Sequence, residues 1–212
     1  MSSERELRAG AAALGVNLDD RQCERLLAYG TLILKWNKVY NLTALRDPAS
    51  VLTHHLLDSL SIIAPLAREW PGSAALLDVG AGAGLPGVVI AIVRDDIVVT
   101  CLDAVAKKAA FVQQVAAELG LPNLRGVHAR VESLAGTFDL ISSRAFASLP
   151  DFFAGSKHLL APGGRWLAMK GKVPSGELAL VSDEVQVFHV EQLRVPGLEA
   201  DRCIVWARKQ AH

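Results

Sequence analysis

A glycine-rich turn between two apolar runs, LLDVGAGAGLPGVVI at residues 76–90, constrains the fold more than any other feature of the sequence. The first run predicts a short buried strand and the second a helix that begins at Pro86. Gly82, Gly84 and Gly87 have the G-x-G-x-x-G spacing, which is associated with dinucleotide binding. In doubly wound α/β sheets the first turn from strand to helix contacts the ligand. The turn therefore predicts both a fold class and the place of its site.

The downstream sequence continues this alternation of strands and helices. A helix is predicted at 105–119, and strands are predicted at 97–102, 125–129, 138–142 and 165–169. This rhythm is typical of a parallel sheet covered by helices on both faces. Two alternating segments near the end, 185–193 and 203–207, predict an antiparallel hairpin that completes the sheet.

The first seventy residues predict helices instead. One helix follows Asp19 and Asp20, and a second begins at Asp47-Pro48 and is expected to end near Pro65. The stretch WNKVYNLT at 36–43 has the polar and aromatic mix of an ordered connection between them. We expect one domain over 1–212, with 1–70 as a helical N-terminal layer and 71–212 as an α/β core.

Composition narrows the class of protein. The 22 basic and 22 acidic residues cancel, so binding to nucleic acid would need a local basic face. The N-terminus has no apolar core of a signal peptide, and no apolar run approaches the roughly 20 residues of a membrane helix. Three cysteines without C-x-x-C spacing predict reduced, buried thiols. A cytoplasmic protein without a membrane partner is expected.

Charge near the turn distinguishes two ligands. Asp78 would repel a pyrophosphate and attract the ammonium and sulfonium charges of S-adenosylmethionine, and Pro86 removes one backbone donor that a phosphate would use. Gly82 lets a ligand approach the backbone closely. Asp103, about twenty residues after the turn starts, could accept both hydroxyls of a ribose or could instead cap the following helix. S-adenosylmethionine is favoured over NAD, and both remain open on this basis.

Five stretches together resemble one bacterial family, and the resemblance extends from about residue 25 onward. They are LKWNKVYNLTALRDP (34–48), HHLLDSL (54–60), LLDVGAGAGLPG (76–87), ISSRAFASL (141–149) and MKGKVP (169–174). The chain is similar to the small-subunit rRNA guanine-N7 methyltransferases, also called the glucose-inhibited division protein B family. The resemblance implies a class I Rossmann-like methyltransferase with a mostly parallel seven-stranded sheet. It also implies methylation of N7 of one guanine in a 16S rRNA loop near the decoding centre.

The resemblance also assigns residues to the site. Gly80 and Leu85 match the family's cofactor contacts in the turn, and Val131 and Glu132 match the pair beside the adenine. Asp78 and Asp103 match the acids usual in class I methyltransferases. Arg144, in SRAFAS, matches a further cofactor-site residue. It follows the fourth parallel strand, near where a target base must enter, and we expect it to be catalytic. It could bind the cofactor carboxylate, an RNA phosphate or a guanine edge, or could instead form a structural salt bridge.

Guanine N7 carries a lone pair and no proton, so its methylation needs no general base, and none is expected. Adjacent histidines point in different directions on a helix, so no metal site is expected at His54 and His55. Trp36, Tyr40 and Phe146 could stack on a base, although core packing is the more frequent role of aromatics. A basic rim is expected to bind RNA, with His54 close to it; the candidates are Lys35, Arg46, His54, Lys170 and Lys172.

The expected partner is 16S rRNA or the 30S subunit, and the protein is expected to be a monomer. Two alternatives differ in class. One is an NAD-dependent oxidoreductase, against which Asp78 and Pro86 argue. The other is a non-catalytic, nucleotide-responsive regulator, against which the intact glycine and acid positions argue without excluding it.

Overall fold

A computed structural model describes residues 2–145 and 147–210. Its N-terminal part is helical: α1 (Ser2–Ala13), α2 (Asp20–Tyr40), α3 (Pro48–Val51), a π-helical turn (Leu52–Leu57), α4 (Asp58–Leu60) and α5 (Ile63–Glu69). Asp19 accepts a hydrogen bond from the backbone N–H of Gln22 at 2.7 Å, and the Gln22 side chain accepts one from the backbone N–H of Asp19. This capping box fixes the start of α2, as the acidic pair predicts. None of the described helices is long and apolar enough to cross a membrane.

The rest of the described chain forms a seven-stranded sheet with helices between its strands. The strands are β1 (Ala74–Val79), β2 (Ile97–Asp103), β3 (Leu124–His128), β4 (Phe138–Arg144), β5 (Leu160–Lys170), β6 (Val185–Leu193) and β7 (Arg202–Lys209). The longer helices are α6 (Gly87–Val93), α7 (Ala106–Glu118) and α8 (Leu149–Ser156), with a short α9 (Ser175–Leu178). The strand order is β3-β2-β1-β4-β5-β7-β6. The first five strands are parallel, and β7 pairs antiparallel with both β5 and β6. The predicted α/β fold class and C-terminal hairpin are confirmed.

Two apolar clusters cover the two faces of this sheet. Leu76 and Leu77, neighbours on β1, are both fully buried but belong to different clusters, because successive side chains of a strand point to opposite faces. The first cluster packs the N-terminal helices, α6 and α7 on one face. The second packs Phe152 and Phe153 of α8 against Trp166 of β5 on the other. The N-terminal layer therefore shares a core with the sheet.

Two predicted boundaries in the N-terminal layer are wrong. Helical structure from Pro48 pauses at a turn at residues 61–62, and α5 then includes Pro65. Proline is tolerated in the first turn of a helix because N–H groups there have no intrahelical acceptor. The stretch 36–43 is not all connection either, since α2 continues to Tyr40 and ends at Asn41 in a left-handed conformation.

The end of α2 is stabilised by contacts that the polar motif supplies. The Asn37 side chain donates to the carbonyl of Leu45 at 2.7 Å and accepts from the backbone N–H of Thr43 at 3.0 Å. The rings of Trp36 and Tyr40, one helical turn apart, lie 5.1 Å from each other. These bonds order the connection into the next helix, which brings residues 42 and 43 to the site described below.

Candidate active site

A cavity of about 380 Å³ lies at the carboxyl ends of β1 and β4, between the sheet and the N-terminal layer. It is lined by Leu42, Thr43, His55, Asp58, Gly80, Ala81, Gly82, Ala83, Leu85, Arg144, Ala145, Met169, Lys170, Gly171 and Arg202. Ligands of open α/β sheets bind at this edge. The cavity is thus the candidate active site, and its wall includes four of the predicted cofactor residues.

The glycine turn forms one wall of the cavity. Gly80, Gly82 and Gly84 have φ values of 66°, 60° and 87°, a region that side chains other than hydrogen disfavour. A Cβ atom added at Gly82 would meet nothing within 4 Å, whereas one at Gly84 would lie 2.4 Å from Val88. Gly82 therefore leaves the backbone open to a ligand in the cavity, and Gly84 allows the turn to pack on α6. Pro86 directly precedes α6, so the predicted start of this helix is one residue early.

Asp78 lies beneath the turn and is fully buried. Its Oδ2 accepts a hydrogen bond from the backbone N–H of Gly87 at 2.9 Å, and its Oδ1 accepts one from the Ser142 hydroxyl at 2.8 Å. Burial raises the pKa of Asp78 to about 6, although these two hydrogen bonds oppose the shift. Asp78 is not part of the cavity wall. The structure thus gives it a supporting position beneath the turn, and its contact with the cofactor stays a prediction.

Tyr29 supports the same turn from the N-terminal layer, a contact that the sequence does not predict. Its hydroxyl donates to the carbonyl of Ala83 at 2.5 Å, and its side chain is completely buried. Burial raises the pKa of Tyr29 well above its usual value. A tyrosine on the buried face of α2 is the one local signal, since a buried hydroxyl needs a hydrogen-bond partner.

Asp103 lies at the carboxyl end of β2 and bonds to both neighbouring segments. Its Oδ2 accepts from the backbone N–H of Gly82 and its Oδ1 from that of Val105, each at 2.9 Å. The bond to Val105, just before α7, agrees with the capping interpretation, and the bond to Gly82 connects Asp103 to the turn. Binding of a ribose by Asp103 stays a prediction.

Val131 and Glu132 lie on a short 3₁₀ turn after β3, where Val131 is buried and Glu132 is exposed. Neither lines the cavity. Since β3, β2, β1 and β4 are adjacent in that order, this turn, Asp103, the glycine turn and Arg144 form one row along the carboxyl edge. This order places the predicted adenine pair at one end of the row and Arg144 at the other.

Arg144 lines the opposite wall and contacts the N-terminal layer. Its Nη1 donates to Asp58 Oδ2 at 2.9 Å and to the carbonyl of His54 at 3.1 Å. The second oxygen of Asp58, Oδ1, accepts from Nε of Arg202 at 2.8 Å. The sequence does not predict Arg202, which is on the C-terminal hairpin. Asp58 has a local signal that was missed: an acid on an apolar helical face requires a cation.

His55 is buried behind Arg144, as its place on the apolar face predicts. Its Nε2 lies 2.8 Å from the hydroxyl of Thr43, and its Nδ1 lies 3.0 Å from the carbonyl of His54. Nδ1 also lies 3.5 Å from Nη2 of the Arg144 guanidinium. Burial, reinforced by the Arg144 guanidinium, lowers the pKa of His55 to about 4. His55 is therefore neutral at pH 7.

The predicted RNA-binding residues are divided between the cavity and its surroundings. Lys170 lines the cavity, where its Nζ donates to Glu177 at 2.8 Å and to the carbonyl of Ala147 at 3.0 Å. The others are exposed side chains outside the cavity wall: Lys35, Arg46, His54 and Lys172. Their contact with RNA stays a prediction. Tyr40 is 38% exposed near the end of α2, and Phe146 lies outside the described residues.

The three cysteines are free and buried, as predicted. Within residues 2–145 and 147–210, no group of three or more histidine, cysteine or acidic side chains is arranged to bind a metal ion.

Two solved methyltransferases have a similar architecture. A SAM-dependent methyltransferase from Aquifex aeolicus is similar with a TM-score of 0.58 and 18% identity, over 79% of this chain and 96% of that one. TrmN from Thermus thermophilus has a TM-score of 0.58 and 17% identity, over 75% of this chain and 53% of that one. At such identity these likenesses concern the fold alone. The fold is that of the Rossmann-like methyltransferases.

Sequence comparison defines the family. The family model described as rRNA small subunit methyltransferase G matches residues 22–205. A protein named ribosomal RNA small subunit methyltransferase G from Acidovorax sp. (strain JS42) is 58% identical, over 99% of this chain and 97% of its own length. One of the same name from Polaromonas sp. is 59% identical, over 97% and 93%. The chain belongs to the rRNA small subunit methyltransferase G family, which confirms the resemblance in the sequence.

Proposed function

We propose that this protein transfers a methyl group from S-adenosylmethionine to N7 of a guanine in 16S rRNA, in the cytoplasm. The observation that carries the proposal is the position of the cavity. It lies at the edge of the sheet where such folds bind ligands, and the open backbone at Gly82 forms part of its wall. Membership in the methyltransferase family supports S-adenosylmethionine as that ligand. The relatives' name supports small-subunit rRNA as the substrate. The choice of guanine N7 rests on the motifs quoted above.

The residues of this chain fit the cofactor. Gly80 and Gly82 line the cavity with positive φ angles, and Asp103 lies at the end of β2 where the ribose is expected. Arg144, at the other end of the row, offers guanidinium N–H groups for a carboxylate. When bound, S-adenosylmethionine supplies an electrophilic methyl group on a sulfonium.

The polar groups of the cavity support a reaction without a general base. Both ring nitrogens of His55 already have hydrogen-bonding neighbours, the Thr43 hydroxyl at Nε2 and the carbonyl of His54 at Nδ1, and both oxygens of Asp58 accept from arginines. Neither group is placed to remove a proton from a substrate. Guanine N7 can attack through its own lone pair, so alignment and exclusion of water are what this site has to provide.

The experiment is methyl transfer from radiolabelled S-adenosylmethionine to 30S subunits from cells that lack this protein. We expect one 7-methylguanosine in 16S rRNA, located by mass spectrometry and by aniline cleavage at the modified base. Calorimetry should show binding of S-adenosylmethionine and not of NADH. Methylation of a different atom, or binding of NADH alone, would contradict the proposal.

A further inference from the structure

We propose that Arg202 is a second binding residue of this site and that Asp58 is a positioning residue that aligns Arg202 with Arg144, so that both guanidinium groups bind one oxyanion of a substrate. The inference rests on the proposed function and deepens it. The oxyanion is a phosphate of the RNA strand or the carboxylate of the cofactor's methionine part. Both present paired oxygens to which an arginine can donate two parallel hydrogen bonds.

The contacts of Asp58 define the arrangement. Its side chain is 2% exposed, and each of its oxygens accepts from a different arginine at 2.8 or 2.9 Å. Arg202 begins β7 and Arg144 ends β4, with β5 between these strands. A single carboxylate from the helical layer thus fixes the relative position of two guanidinium groups that the sheet alone would leave independent.

The charge of the wall favours an anion. One carboxylate faces two guanidinium groups, so one positive charge remains uncompensated among these three side chains. Lys170 does not change this balance, because Glu177 accepts from it at 2.8 Å, and His55 is neutral at pH 7. Partly buried positive charge is costly unless an anion or a hydrogen-bonding partner balances it. A bound oxyanion would supply that balance.

The arginines also have donors left for such a ligand. A guanidinium has five N–H donors. Arg202 uses Nε for Asp58 and Nη1 for the carbonyl of Asp201. Its side chain lies on the wall that the cavity shares with a second one of about 770 Å³, which Lys172 and Arg194 also line. A strand whose base enters the first cavity would therefore pass Arg202 with its phosphates.

The test uses the full-length variants Asp58→Asn, Arg202→Gln and the double variant. For each we measure the cofactor Kd by calorimetry, and KM for 30S subunits and kcat by methyl transfer. We expect each single variant to raise either the cofactor Kd or the KM for 30S subunits at least tenfold. The double variant should be hardly worse than either single one, because both changes disrupt the same unit.

A matched control is Glu69→Gln. Glu69 accepts from Arg165 at 2.7 Å, so it also joins the helical layer to the sheet through a carboxylate and an arginine, but outside the cavity. Thermal unfolding of Glu69→Gln should show a loss of stability similar to or smaller than that of Asp58→Asn. The cofactor Kd and the KM for 30S subunits should both be unchanged. If Asp58→Asn does not fold, Arg202→Lys serves instead, since it keeps the charge and removes the planar fork.

The outcomes separate the two oxyanions. A higher KM for 30S subunits with an unchanged cofactor Kd identifies an RNA phosphate, and a higher cofactor Kd identifies the methionine carboxylate. Folded variants with both constants unchanged, or effects that simply add in the double variant, would overturn the inference. A wild-type protein that transfers no methyl group to rRNA would instead refute the proposed function.

Discussion

The cavity has two walls that are ordered in different ways. The turn region, residues 78–87 with Asp103, is stabilised by the buried carboxylates of Asp78 and Asp103, which accept from backbone N–H groups of the turn. The arginine cluster, Asp58 with His55, Arg144 and Arg202, is stabilised by charged side chains from elements far apart in the chain. Backbone bonding fixes a shape, whereas paired charges fix the direction of donors. We infer that the first wall determines which ligand fits and the second how it is oriented.

The largest expected effect is on the arginine cluster. Arg144→Ala should lower kcat/KM for methyl transfer about a thousandfold, or about 4 kcal/mol, because it removes a charged donor and leaves Asp58 with one partner instead of two. Circular dichroism and thermal unfolding should show a folded protein. Near-normal turnover in this variant would refute the catalytic assignment of Arg144. It would also show that the turn region alone is sufficient to orient the ligand.

The next effect is on the pH dependence of stability, where the two walls have opposite signs. The pKa of Asp78 is raised to about 6 in the folded state. The folded protein therefore binds this proton more tightly than the unfolded chain, and the resulting stability is present below about pH 4 and lost as the pH rises to about 6. The pKa of His55 is lowered to about 4. Its contribution is absent below about pH 4 and is gained as the pH rises to about 6.5.

Each of these shifts corresponds to about 3 kcal/mol, at about 1.4 kcal/mol for each pKa unit. Urea unfolding between pH 4 and pH 7 measures them. Between pH 4 and pH 6, Asp78→Asn should gain stability more steeply with rising pH than the wild type does, whereas His55→Gln should gain less. Curves parallel to that of the wild type for both variants would show that these groups do not titrate as their burial requires.

The two walls also differ in how far the sequence predicts them. The glycines, Asp78 and Asp103 of the turn region each follow from strand and helix patterns that are local. The partners in the arginine cluster are 86 and 144 residues apart. No periodicity connects Asp58 to Arg202, so only the folded sheet brings them together.

The same limit explains the errors in the fold. The strands and the hairpin are predicted in the right places because burial on two faces leaves a local pattern, although β5 begins at Leu160, five residues before its predicted start. The sequence predicts that a helix ends near Pro65, which lies instead in the first turn of the next helix. The local sequence does not distinguish a proline that follows a helix from one in the first turn of a helix. Only the turn at residues 61–62 decides between the two. The position of Asp78 depends likewise on Ser142, a residue of another strand.

A smaller effect tests the packing of the turn region. A Cβ atom at Gly87 would lie 2.5 Å from Cys101 Sγ and 2.9 Å from Asp78 Oδ2. Gly87→Ala should therefore cost about 2 kcal/mol in the free energy of unfolding, although alanine favours helices more than glycine does. The control is Gly72→Ala, where an added Cβ would meet nothing within 4 Å. Equal stability of the two variants in urea would show that the turn does not pack on Asp78 this closely.

The smallest expected effect concerns Asp103, whose two interpretations the structure sharpens. Asp103→Ala should raise the Kd for S-adenosylmethionine about tenfold, or about 1.4 kcal/mol. That loss could arise from a missing ribose contact or from a looser turn, because Asp103 Oδ2 also accepts from the backbone N–H of Gly82. Calorimetry with the 2′-deoxyadenosyl analogue separates the two.

If Asp103 binds the ribose through its 2′ hydroxyl, the wild type should prefer S-adenosylmethionine to the analogue, and Asp103→Ala should bind both equally. If Asp103 acts only through the turn, the variant should weaken both ligands by the same factor and keep the wild-type preference. Asp103→Asn is the matched control, because its amide oxygen can still accept from Gly82 or Val105. Recovery of affinity in that variant, with the preference unchanged, would assign Asp103 to the support of the turn and leave the ribose to other groups of the carboxyl edge.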